Sequence, residues 1–582
     1  MPGGLGMTHA AGSRREPRRS RPGARRLVLA TALAALSLAV TLSRAPALLA
    51  DPPAPNIVVI LTDDQRWDML WAMPTLQAEL VGKGTLFNNA FVANSLCCPS
   101  RASILTGKYS HSNLVYGNNP PQGGFTSFDD ASTVATWLQA SGYHTGMLGK
   151  YLNGYSADQA AYIPPGWDRW FALTQRTAEF AYYNYTVSDQ GVPVQHGSQE
   201  TDYLTDVLAG QADQFIRDTD HSQPLFLYLA LSAPHAPAIP PPRYSTAFSD
   251  LEEYRPPNFD ESDMSDKPLY MQSQPPLKTR QERTLDALRI DQYRTLLAVD
   301  DAINSVLLAL TDTGRLSDTL IVFASDNGQT LAEHRWKKGK IVPYEESIRI
   351  PLIIRYDPLT ELTPRTDDHL VVNIDFAPTL AEVAGVLSPG VDGLSLVPLI
   401  SETPVEWRSD FLIEHLKGVD KVPTYCAVRS EAYLYVTYET WEEELYDLAL
   451  DPYELDNKAM DSAYAQTIAS LRTRLQQLCD PVPHKFTWPY DALPPSVPQD
   501  LVGVPFGPTE VDLEWTASSD NVAVTGYTIY RDGAQLVVVN GQTSFADLTV
   551  EPDTTYTYTV DAFDAAGNYS AQSDQVIVIT PP

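Results

Sequence analysis

Basic side chains and long apolar runs are both scarce in this sequence. The chain has 41 lysines and arginines against 72 acidic residues, so its formal net charge is −31. Nucleic-acid-binding proteins present a basic surface, and this balance argues against that class. After residue 50, no apolar run approaches the roughly 18–20 residues that a membrane-spanning helix needs. We therefore expect a globular protein with no membrane span in its mature chain.

Cysteine is also rare, with only Cys97, Cys98, Cys426 and Cys479 in 582 residues. The adjacent pair cannot easily form an ordinary disulfide within one short turn. The distant pair can do so in an exported protein, because disulfides persist in that compartment. We expect a disulfide between Cys426 and Cys479.

The first fifty residues differ from the rest. Arginines crowd positions 14–26, an apolar run extends from Leu27 to Leu42, and Ala45 and Ala47 are spaced as in a cleavage site. This order predicts a secretory signal peptide, with an uncleaved anchor as the alternative. Without residues 1–50 the net charge falls to −38, with 33 basic against 71 acidic side chains. We expect a secreted, periplasmic or cell-surface protein. Because the sequence has no clear twin-arginine motif, it does not decide between the Sec and Tat export routes.

Several apolar runs alternate with helical patterns such as Tyr293–Leu310, which indicates an α/β domain with helices on both faces of a parallel-type sheet. The predicted strands are Asn56–Leu61, His144–Leu148, Leu225–Leu231 and Thr319–Ala324. Each run is followed by polar residues of catalytic type. Open α/β sheets bind ligands at the carboxyl ends of their strands, so we expect the site there.

The pattern changes near residue 405 and again after a proline-rich stretch. Short strands and a final helix predict a smaller α+β subdomain, and the last 86 residues alternate as in an all-β sandwich with Trp515 in its core. The sandwich resembles a fibronectin type III domain in DNVAVTGYTIYRDG and DAAGN. The predicted organisation is a signal peptide at 1–50, a catalytic domain at 51–404, its C-terminal subdomain at 405–480, a linker at 481–496 and the sandwich at 497–582.

The most specific motif is CCPSRASILTG, from Cys97 to Gly107. It places a cysteine just ahead of a predicted helix, whose N-terminus suits an anion, and Arg101 adds a cation one turn later. The pattern C-x-P-S-R-x-x-x-L-T-G resembles the signature of type I sulfatases. The resemblance implies an alkaline-phosphatase-like sulfatase fold. It also implies that a formylglycine-generating enzyme converts Cys97 to formylglycine, with Cys98 at the variable position.

The resemblance also implies a metal site. Asp63, Asp64, Asp326 and Asn327 match the positions that hold one Ca²⁺ in sulfatases, and the hydrated aldehyde at Cys97 completes the set. Calcium takes six to eight hard oxygen ligands, which these side chains provide. Mg²⁺ is the weaker alternative because it needs stricter octahedral geometry.

Four further cations match family positions around the sulfate: Lys108, Lys150, His235 and Lys340. With Arg101 they supply the charges that an anion site needs. The implied reaction begins when one hydroxyl of the hydrated aldehyde attacks sulfur. The alcohol then leaves, protonated by an acid such as His235, and the second hydroxyl allows sulfate to be expelled.

One position departs from the family pattern. Many sulfatases carry a histidine two or three residues after the signature lysine, where this chain has Leu152 and Asn153. Either His111 or His334 is therefore the candidate base for sulfate elimination. Asn153 is instead a candidate for orienting the hydrated aldehyde. Trp336 is a candidate for stacking on a sugar ring. These four residues, His111, Asn153, His334 and Trp336, form the predicted substrate-binding set.

The GKYLN variant narrows the resemblance to the N-acetylglucosamine-6-sulfatases and the related extracellular heparan sulfatases, over roughly residues 55–480. It implies hydrolysis of the 6-O-sulfate of N-acetylglucosamine or glucosamine in a sulfated glycan, with exo action favoured by the acidic body. Three alternatives stay open. They are an arylsulfatase of other specificity, a phosphodiesterase or phosphonate monoester hydrolase of the same superfamily, and a non-catalytic glycan-binding protein.

Overall fold

A computed structural model describes most of residues 54–582. The described residues are 54–174, 182–337, 339–418, 421–484, 486–488, 493–520, 524–564 and 567–582. The predicted signal peptide lies outside the described residues, as do residues 485 and 489–492 of the predicted linker.

A ten-stranded mixed sheet forms the centre of the structure. Its spatial order is β11-β2-β10-β9-β1-β8-β4-β5-β6-β7. The strands are β1 (Asn56–Thr62), β2 (Thr85–Phe87), β4 (His144–Gly149), β5 (Arg169–Thr174), β6 (Thr186–Asp189), β7 (Val192–Gln195), β8 (Leu225–Ala230), β9 (Thr319–Ser325), β10 (Leu352–Arg355) and β11 (Arg365–Asp367). A two-stranded parallel pair, β3 (Ala90–Phe91) and β12 (Val371–Val372), lies apart from it.

The four predicted strands are the neighbours β9, β1, β8 and β4, and they pair in parallel. Ile57 of β1 lies between Phe226 on one side and Leu320 on the other. Strands β1, β8 and β9 are buried along their whole length, because apolar side chains from helices cover both faces. Continuous apolar runs are typical of such strands, and the α/β prediction is confirmed.

Helices pack on both faces of the sheet. The α-helices are Pro74–Leu76, Cys97–Thr106, Ser110–Asn113, Val134–Ala140, Leu204–Asp218, Leu269–Gln272, Thr279–Asp312, Glu345–Ile348, Asp357–Thr360, Phe376–Val383, Val397–Ile400 and Ala465–Leu478. The predicted helix Tyr293–Leu310 is the buried half of the 34-residue helix Thr279–Asp312. The first fourteen residues of that helix are mostly exposed or half-buried. They lack the regular spacing of apolar residues that would have predicted an earlier start of the helix.

A second, antiparallel sheet follows the central one in the chain. It contains β13 (Asp410–His415), β14 (Tyr425–Ser430), β15 (Tyr433–Tyr438) and β16 (Glu443–Asp447), in that order. One cluster of buried residues joins this sheet to the segments at 91–93 and 336–348. The second sheet therefore shares a core with the segment that carries Lys340.

The last seven strands form two small antiparallel sheets with a core of their own. The first is β17 (Gln499–Gly507), β18 (Glu510–Thr516) and β21 (Ser544–Asp547). The second is β19 (Val524–Arg531), β20 (Ala534–Val539), β22 (Thr555–Asp564) and β23 (Val576–Ile579). Their buried cluster draws only on residues 501–578, and Trp515 is buried in it as predicted. Within the described part of the chain, no helix combines the length and apolar character needed to cross a bilayer.

Cys426 and Cys479 are joined by a disulfide, which confirms the prediction. The bond connects β14 to the residue that ends the helix Ala465–Leu478. Both cysteines are fully buried in a cluster that also contains Leu412, Leu445 and Leu475. The crosslink therefore fastens the last helix to the face of the second sheet.

We expect the Cys426→Ala/Cys479→Ala variant to lose about 2–4 kcal/mol of unfolding free energy, because a crosslink across 53 positions no longer restricts the unfolded chain. Urea unfolding under oxidising conditions measures the loss. Reduced wild-type protein is the control and should unfold at a similar urea concentration. Equal midpoints for the variant and the oxidised wild type would show that the bond adds no stability.

Candidate active site

Four neighbouring strands deliver polar side chains to one edge of the central sheet. Strands β9, β1, β8 and β4 run parallel, so their carboxyl ends meet where open α/β sheets bind ligands. The residues that follow them are Asp326 and Asn327 after β9, Asp63 and Asp64 after β1, His235 after β8 and Lys150 after β4. The topology thus brings together six side chains that are up to 264 positions apart in the sequence.

The helix Cys97–Thr106 begins at the same edge, and all ten of its residues are buried. Arg101 lies one turn into this helix. Its Nε donates to Asp326 Oδ2 at 2.8 Å, and a terminal nitrogen donates to the carbonyl oxygen of Lys150 at 2.6 Å. A buried cation with fixed partners on two strand ends holds the start of the helix against the sheet.

Two lysines connect the carboxylates to Cys97. Lys150 Nζ donates to Asp63, and Lys340 Nζ donates to Asp64. Lys340 Nζ also lies 2.8 Å from Cys97 Sγ, and Cys97 Sγ lies 3.6 Å from Asp63 Oδ1. The motif cysteine is therefore held between a carboxylate and an ammonium group.

His235 completes this group on its open side. Its Nδ1 lies 2.5 Å from the carbonyl oxygen of Ala236, and its Nε2 lies 3.5 Å from Asp64 Oδ2. The side chains of His235 and Lys340 keep 16% and 12% of their surface exposed, whereas Lys150 keeps none. The site is therefore reached from the side of His235 and Lys340.

The neighbouring cations keep the buried carboxylates ionised. Burial would raise the pKa of Asp63, but Lys150, His235 and Arg101 together hold it below its ordinary value. The pKa of Asp64 is lowered in the same way, with Lys340 as the strongest opposing cation. Burial would lower the pKa of Lys340, but Asp64, Cys97 and the other carboxylates together raise it above its ordinary value. The charges of the site thus depend on one another.

Cys97 is not set up as a thiolate. Burial raises the pKa of its thiol to about 12, although Lys150 and Lys340 act in the opposite direction. A thiol in that range is protonated at neutral pH and is a poor nucleophile. The unmodified side chain therefore does not suit a mechanism that attacks through sulfur.

The donor set fits a hard divalent cation. Asn327 Nδ2 donates to Asp64 Oδ1 at 2.6 Å, and the backbone N–H of Asp64 donates to Asp326 Oδ1 at 3.2 Å. Asn327 Oδ1 is buried and has no hydrogen-bond partner among the described residues. A buried amide oxygen without a partner, beside carboxylates, fits a ligand of a hard divalent cation. One donor atom from each of Asp63, Asp64, Cys97 and His235 also lies within 4.8 Å of the others.

Lys108 is not among the residues that the structure brings together at Cys97, and its role around the sulfate stays a prediction. It directly follows Gly107, which ends the helix that Cys97 begins. Its Nζ lies beside Gly390, where an added Cβ would be 3.8 Å from it. The sequence motif alone does not show that Cys97 and Lys108 lie at opposite ends of a helix.

The predicted substrate-binding roles of Trp336 and His334 are corrected, because both side chains are fully buried. Trp336 packs in the core shared with the second sheet, and its Nε1 donates to the carbonyl oxygen of Lys340 at 3.0 Å. His334 Nδ1 lies 2.6 Å from Glu261 Oε2. Neither ring is accessible to a sugar, and His334 belongs to a different polar cluster from Cys97.

His111 and Asn153 occupy partly buried positions. His111 Nδ1 lies 3.2 Å from Glu414 Oε1, and this carboxylate raises the pKa of the ring although burial opposes the shift. The backbone carbonyl oxygen of Asn153 accepts a hydrogen bond from the backbone N–H of Phe125, while the buried side-chain Oδ1 has no partner among the described residues. Their roles toward a substrate stay predictions.

A cavity of about 360 Å³ adjoins the site, and its lining was not predicted from the sequence. Leu96 and Ile341, next to Cys97 and Lys340 in the chain, form one side of it. Asn118 lines it as well and accepts a hydrogen bond from the backbone N–H of Cys98 at 2.9 Å. The polar turn Asn118-Asn119-Pro120-Pro121 soon after the cysteine motif was the available signal. A larger cavity of about 460 Å³ lies among β17, β18 and β21, away from these residues.

Two family profiles match the chain. The one described as Sulfatase covers residues 55–386, and the one described as N-sulphoglucosamine sulphohydrolase, C-terminal, covers residues 332–480. The N-acetylglucosamine-6-sulfatase of Capra hircus is 33% identical over 472 residues, which are 73% of this chain and 83% of that protein. The extracellular sulfatase SULF-1 homolog of Drosophila melanogaster is 34% identical over 375 residues, which are 62% of this chain and 33% of that protein.

A solved structure shares the fold. It is the complex of a protein with its substrate D-glucosamine-2-N,6-O-disulfate, and it superposes with a TM-score of 0.64 at 25% identity. The superposition covers 73% of this chain and 97% of the solved chain.

Removing the divalent cation with a chelator should lower the Tm, because an ion that binds only the native state stabilises it by about 2.7 kcal/mol at 100 times its Kd. The Asn327→Ala variant should show a smaller shift, since it loses one neutral ligand without changing the charge balance. Asn540→Ala, an exposed asparagine of the C-terminal sheets, is the matched control. Differential scanning calorimetry measures the Tm. An unchanged wild-type Tm after chelation would contradict the metal site.

Proposed function

The chain belongs to the sulfatase family of sulfuric ester hydrolases, and on that premise we propose that it removes the 6-O-sulfate of N-acetylglucosamine or glucosamine from sulfated glycans. Its fold is the alkaline-phosphatase-like sulfatase fold with a C-terminal subdomain. The observation that carries the proposal is the position of Lys340 Nζ, which contacts both Asp64 and Cys97 Sγ. One ammonium group thereby joins the predicted metal carboxylates to the motif cysteine.

The charge balance supports an anionic ester as the substrate. Three buried carboxylates, those of Asp63, Asp64 and Asp326, face three cations: buried Arg101 and Lys150, and half-buried Lys340. This arrangement is neutral, so a divalent cation makes the site positive. A sulfate monoester carries one negative charge and offsets part of that excess.

Formylglycine at position 97, made by a formylglycine-generating enzyme, would supply the attacking oxygen that the protonated thiol does not. Ca²⁺ on Asp63, Asp64, Asp326 and Asn327 would supply Lewis-acid stabilisation of negative charge. The oxygen-only protein donors favour Ca²⁺ among divalent ions.

The chain's own cations orient the ester. Arg101 is fixed by Asp326 and the carbonyl of Lys150, so it presents a positive charge in one place beside position 97. Lys340 reaches the same place from the segment after β9. Fixed donors of this kind stabilise charge that develops on the transferring group without reorganising during the reaction.

His235 is placed to protonate the departing alcohol. The contact of its Nδ1 with the carbonyl oxygen of Ala236 fixes the ring and makes Nδ1 the donor there. Nε2 faces the site at 3.5 Å from Asp64 Oδ2, and the side chain is partly exposed toward the cleft. In the imidazolium form the ring would carry its second proton on Nε2, which faces the side from which the ester enters.

The cavity beside Cys97 supports a compact substrate. Its volume of about 360 Å³ is near the lower end of the range for small-molecule sites and suits one or two sugar units. Polar lining from Asn118, Gln122 and His415 provides hydrogen-bonding groups for sugar hydroxyls. We infer exo action on a terminal sulfated sugar.

We also infer export and a modular C-terminus. The predicted signal peptide and the likeness to an extracellular sulfatase support a secreted, periplasmic or cell-surface location. The two sheets after residue 497 pack around their own core, as an appended fibronectin type III domain would. They line none of the cavity beside Cys97.

Cys97→Ala should reduce kcat on a sulfate ester by roughly 10⁴-fold or more, because the attacking group is lost. Cys98→Ala is the matched control, since it removes the adjacent buried thiol and should keep most of the activity. Mass spectrometry of the peptide that holds residue 97 should find an aldehyde in active enzyme. Full turnover by Cys97→Ala would exclude the formylglycine mechanism.

Among small substrates, kcat/KM should be highest for glucosamine 6-sulfate. The comparison set is galactose 6-sulfate, a 2-O-sulfated uronate, an aryl sulfate and a phosphate diester. Leaving one buried hydrogen-bonding group of the pocket unpaired costs about 1–3 kcal/mol, so a preference of about tenfold is expected. Gln122→Ala should raise KM for the sugar and leave the aryl sulfate unaffected. A tenfold preference for the aryl sulfate or the galactose sulfate would overturn the substrate assignment, and preference for the diester would overturn sulfate specificity.

A further inference from the structure

A second buried cluster of donor atoms lies apart from Cys97. One atom from each of His334, Glu346 and Glu454 lies within 4.8 Å of the others, and the three residues are exposed by 0%, 6% and 0%. None of these side chains contacts Asp63, Asp64 or Cys97 in the recorded hydrogen bonds and ion pairs of the described residues. We propose that His334, Glu346 and Glu454 bind a second divalent cation, distinct from the one at the active site.

Each glutamate has one oxygen in use and one oxygen without a partner. Glu346 Oε1 accepts from Asn258 Nδ2 at 2.9 Å, and Glu454 Oε2 accepts from the backbone N–H of Glu345 at 3.1 Å. Glu346 Oε2, Glu454 Oε1 and Asn258 Oδ1 are buried with no hydrogen-bond partner among the described residues. Buried carboxylate oxygens without partners are costly, and a bound cation satisfies them.

The histidine is oriented as a metal ligand. Its Nδ1 lies 2.6 Å from Glu261 Oε2, so the ring donates its Nδ1 proton to that carboxylate. The lone pair is then on Nε2, which faces the side chain of Asn258 at 3.4 Å. A carboxylate that holds the far nitrogen of an imidazole is the usual support of a metal-binding histidine.

The charges around the cluster leave a deficit of two positive charges. Three nearby glutamates have a basic partner: Glu333 pairs with Arg66 at 2.8 Å, Glu345 with Arg429 at 2.7 Å, and Glu261 with Lys267 at 3.6 Å. For Glu346 and Glu454, no basic side chain lies within 4 Å among the described residues. One divalent cation would neutralise both carboxylates.

The alternative to a cation is a pair of protonated acids. Burial raises the pKa of Glu346 to about 8, and burial with the neighbouring carboxylates raises the pKa of Glu454 above its ordinary value. Protons could thus replace the missing charges, but they would leave His334 Nε2 with only the long contact from Asn258 Nδ2 at 3.4 Å. A metal ion uses the imidazole and both carboxylates at once.

The donor types select the class of ion. One imidazole with two carboxylates suits a first-row transition ion such as Zn²⁺, whereas Ca²⁺ prefers oxygen alone. Zn²⁺ binds its ligands at about 2.0–2.2 Å, so in tetrahedral coordination the ligand atoms lie about 3.3–3.6 Å apart. The three donors, which lie within 4.8 Å of one another, would need to approach each other by up to about 1.5 Å.

The position of the cluster gives such an ion a structural consequence. His334 and Glu346 bracket the segment that carries Lys340, and the carbonyl oxygen of Glu346 approaches Gly328, where an added Cβ would lie 2.3 Å from it. Gly328 directly follows Asn327. An ion bound by both His334 and Glu346 would join the two ends of the segment that carries Lys340. It would close that segment into a loop and hold it against the strand end that carries Asp326 and Asn327.

The test is a zinc titration of the full chain in the Cys97→Ala background, which removes the competing thiol. The protein is stripped with a chelator and saturated with Ca²⁺, and bound zinc is then measured by mass spectrometry. One equivalent of Zn²⁺ should bind, with a Tm increase of about 2 °C at 100 times Kd. Absence of zinc binding under these conditions would overturn the proposal.

Variants locate the ion. Glu346→Gln and Glu454→Gln should each weaken zinc binding by more than tenfold, whereas the exposed Glu431→Gln should leave it unchanged. Equal affinity in all three would overturn the assignment. If the buried variants fail to fold, anomalous diffraction at the zinc edge of the Cys97→Ala protein decides. A peak between His334 and Glu454 supports the site, and a peak elsewhere or no peak refutes it.

Discussion

The burial of three carboxylates at the carboxyl ends of β1 and β9 is the constraint on which the site depends. Asp63, Asp64 and Asp326 are at most 4% exposed, and ionised carboxylates at that depth require nearby cations or a metal. Each compensating cation comes from a different element: Arg101 from the buried helix, Lys150 from the end of β4 and Lys340 from the segment after β9. Charge compensation therefore fixes three separate segments around Cys97.

The second sheet takes part in this arrangement through packing. Trp336 and Tyr344 lie in the same buried cluster as residues of β13, β14 and β15, and they flank Lys340 in the chain. The Trp336 indole also donates to the carbonyl oxygen of Lys340. The region after residue 405 thus supports one wall of the site, although none of its described residues contacts Cys97 Sγ. Its core is continuous with that of the larger domain, in contrast to the separate core of the last seven strands.

Much of the fold could be predicted because the signals were local. Runs such as Asn56–Leu61 and Thr319–Ala324 are apolar throughout, which occurs when a strand is buried on both faces. The polar half of the helix Thr279–Asp312 was missed because an exposed helix surface has no apolar period. Among site residues, those directly after predicted strands were brought together as expected. The structure does not bring Lys108, His334 and Trp336 to Cys97, because their neighbours in space come from other parts of the chain.

The sequence by itself determined the chemistry that is available: a cysteine at a helix start, carboxylates after two strands, and lysines and a histidine after others. Strand periodicity and the fixed geometry of parallel sheets were enough to place these groups at one edge. Only the tertiary structure decided which cations reach Cys97, since that depends on helix direction and side-chain burial. It alone showed that Lys108 lies at the far end of the helix and that Trp336 is a core residue. It also showed that Glu346 and Glu454, 108 positions apart, share one buried cluster, because long-range packing leaves no periodic trace in the chain.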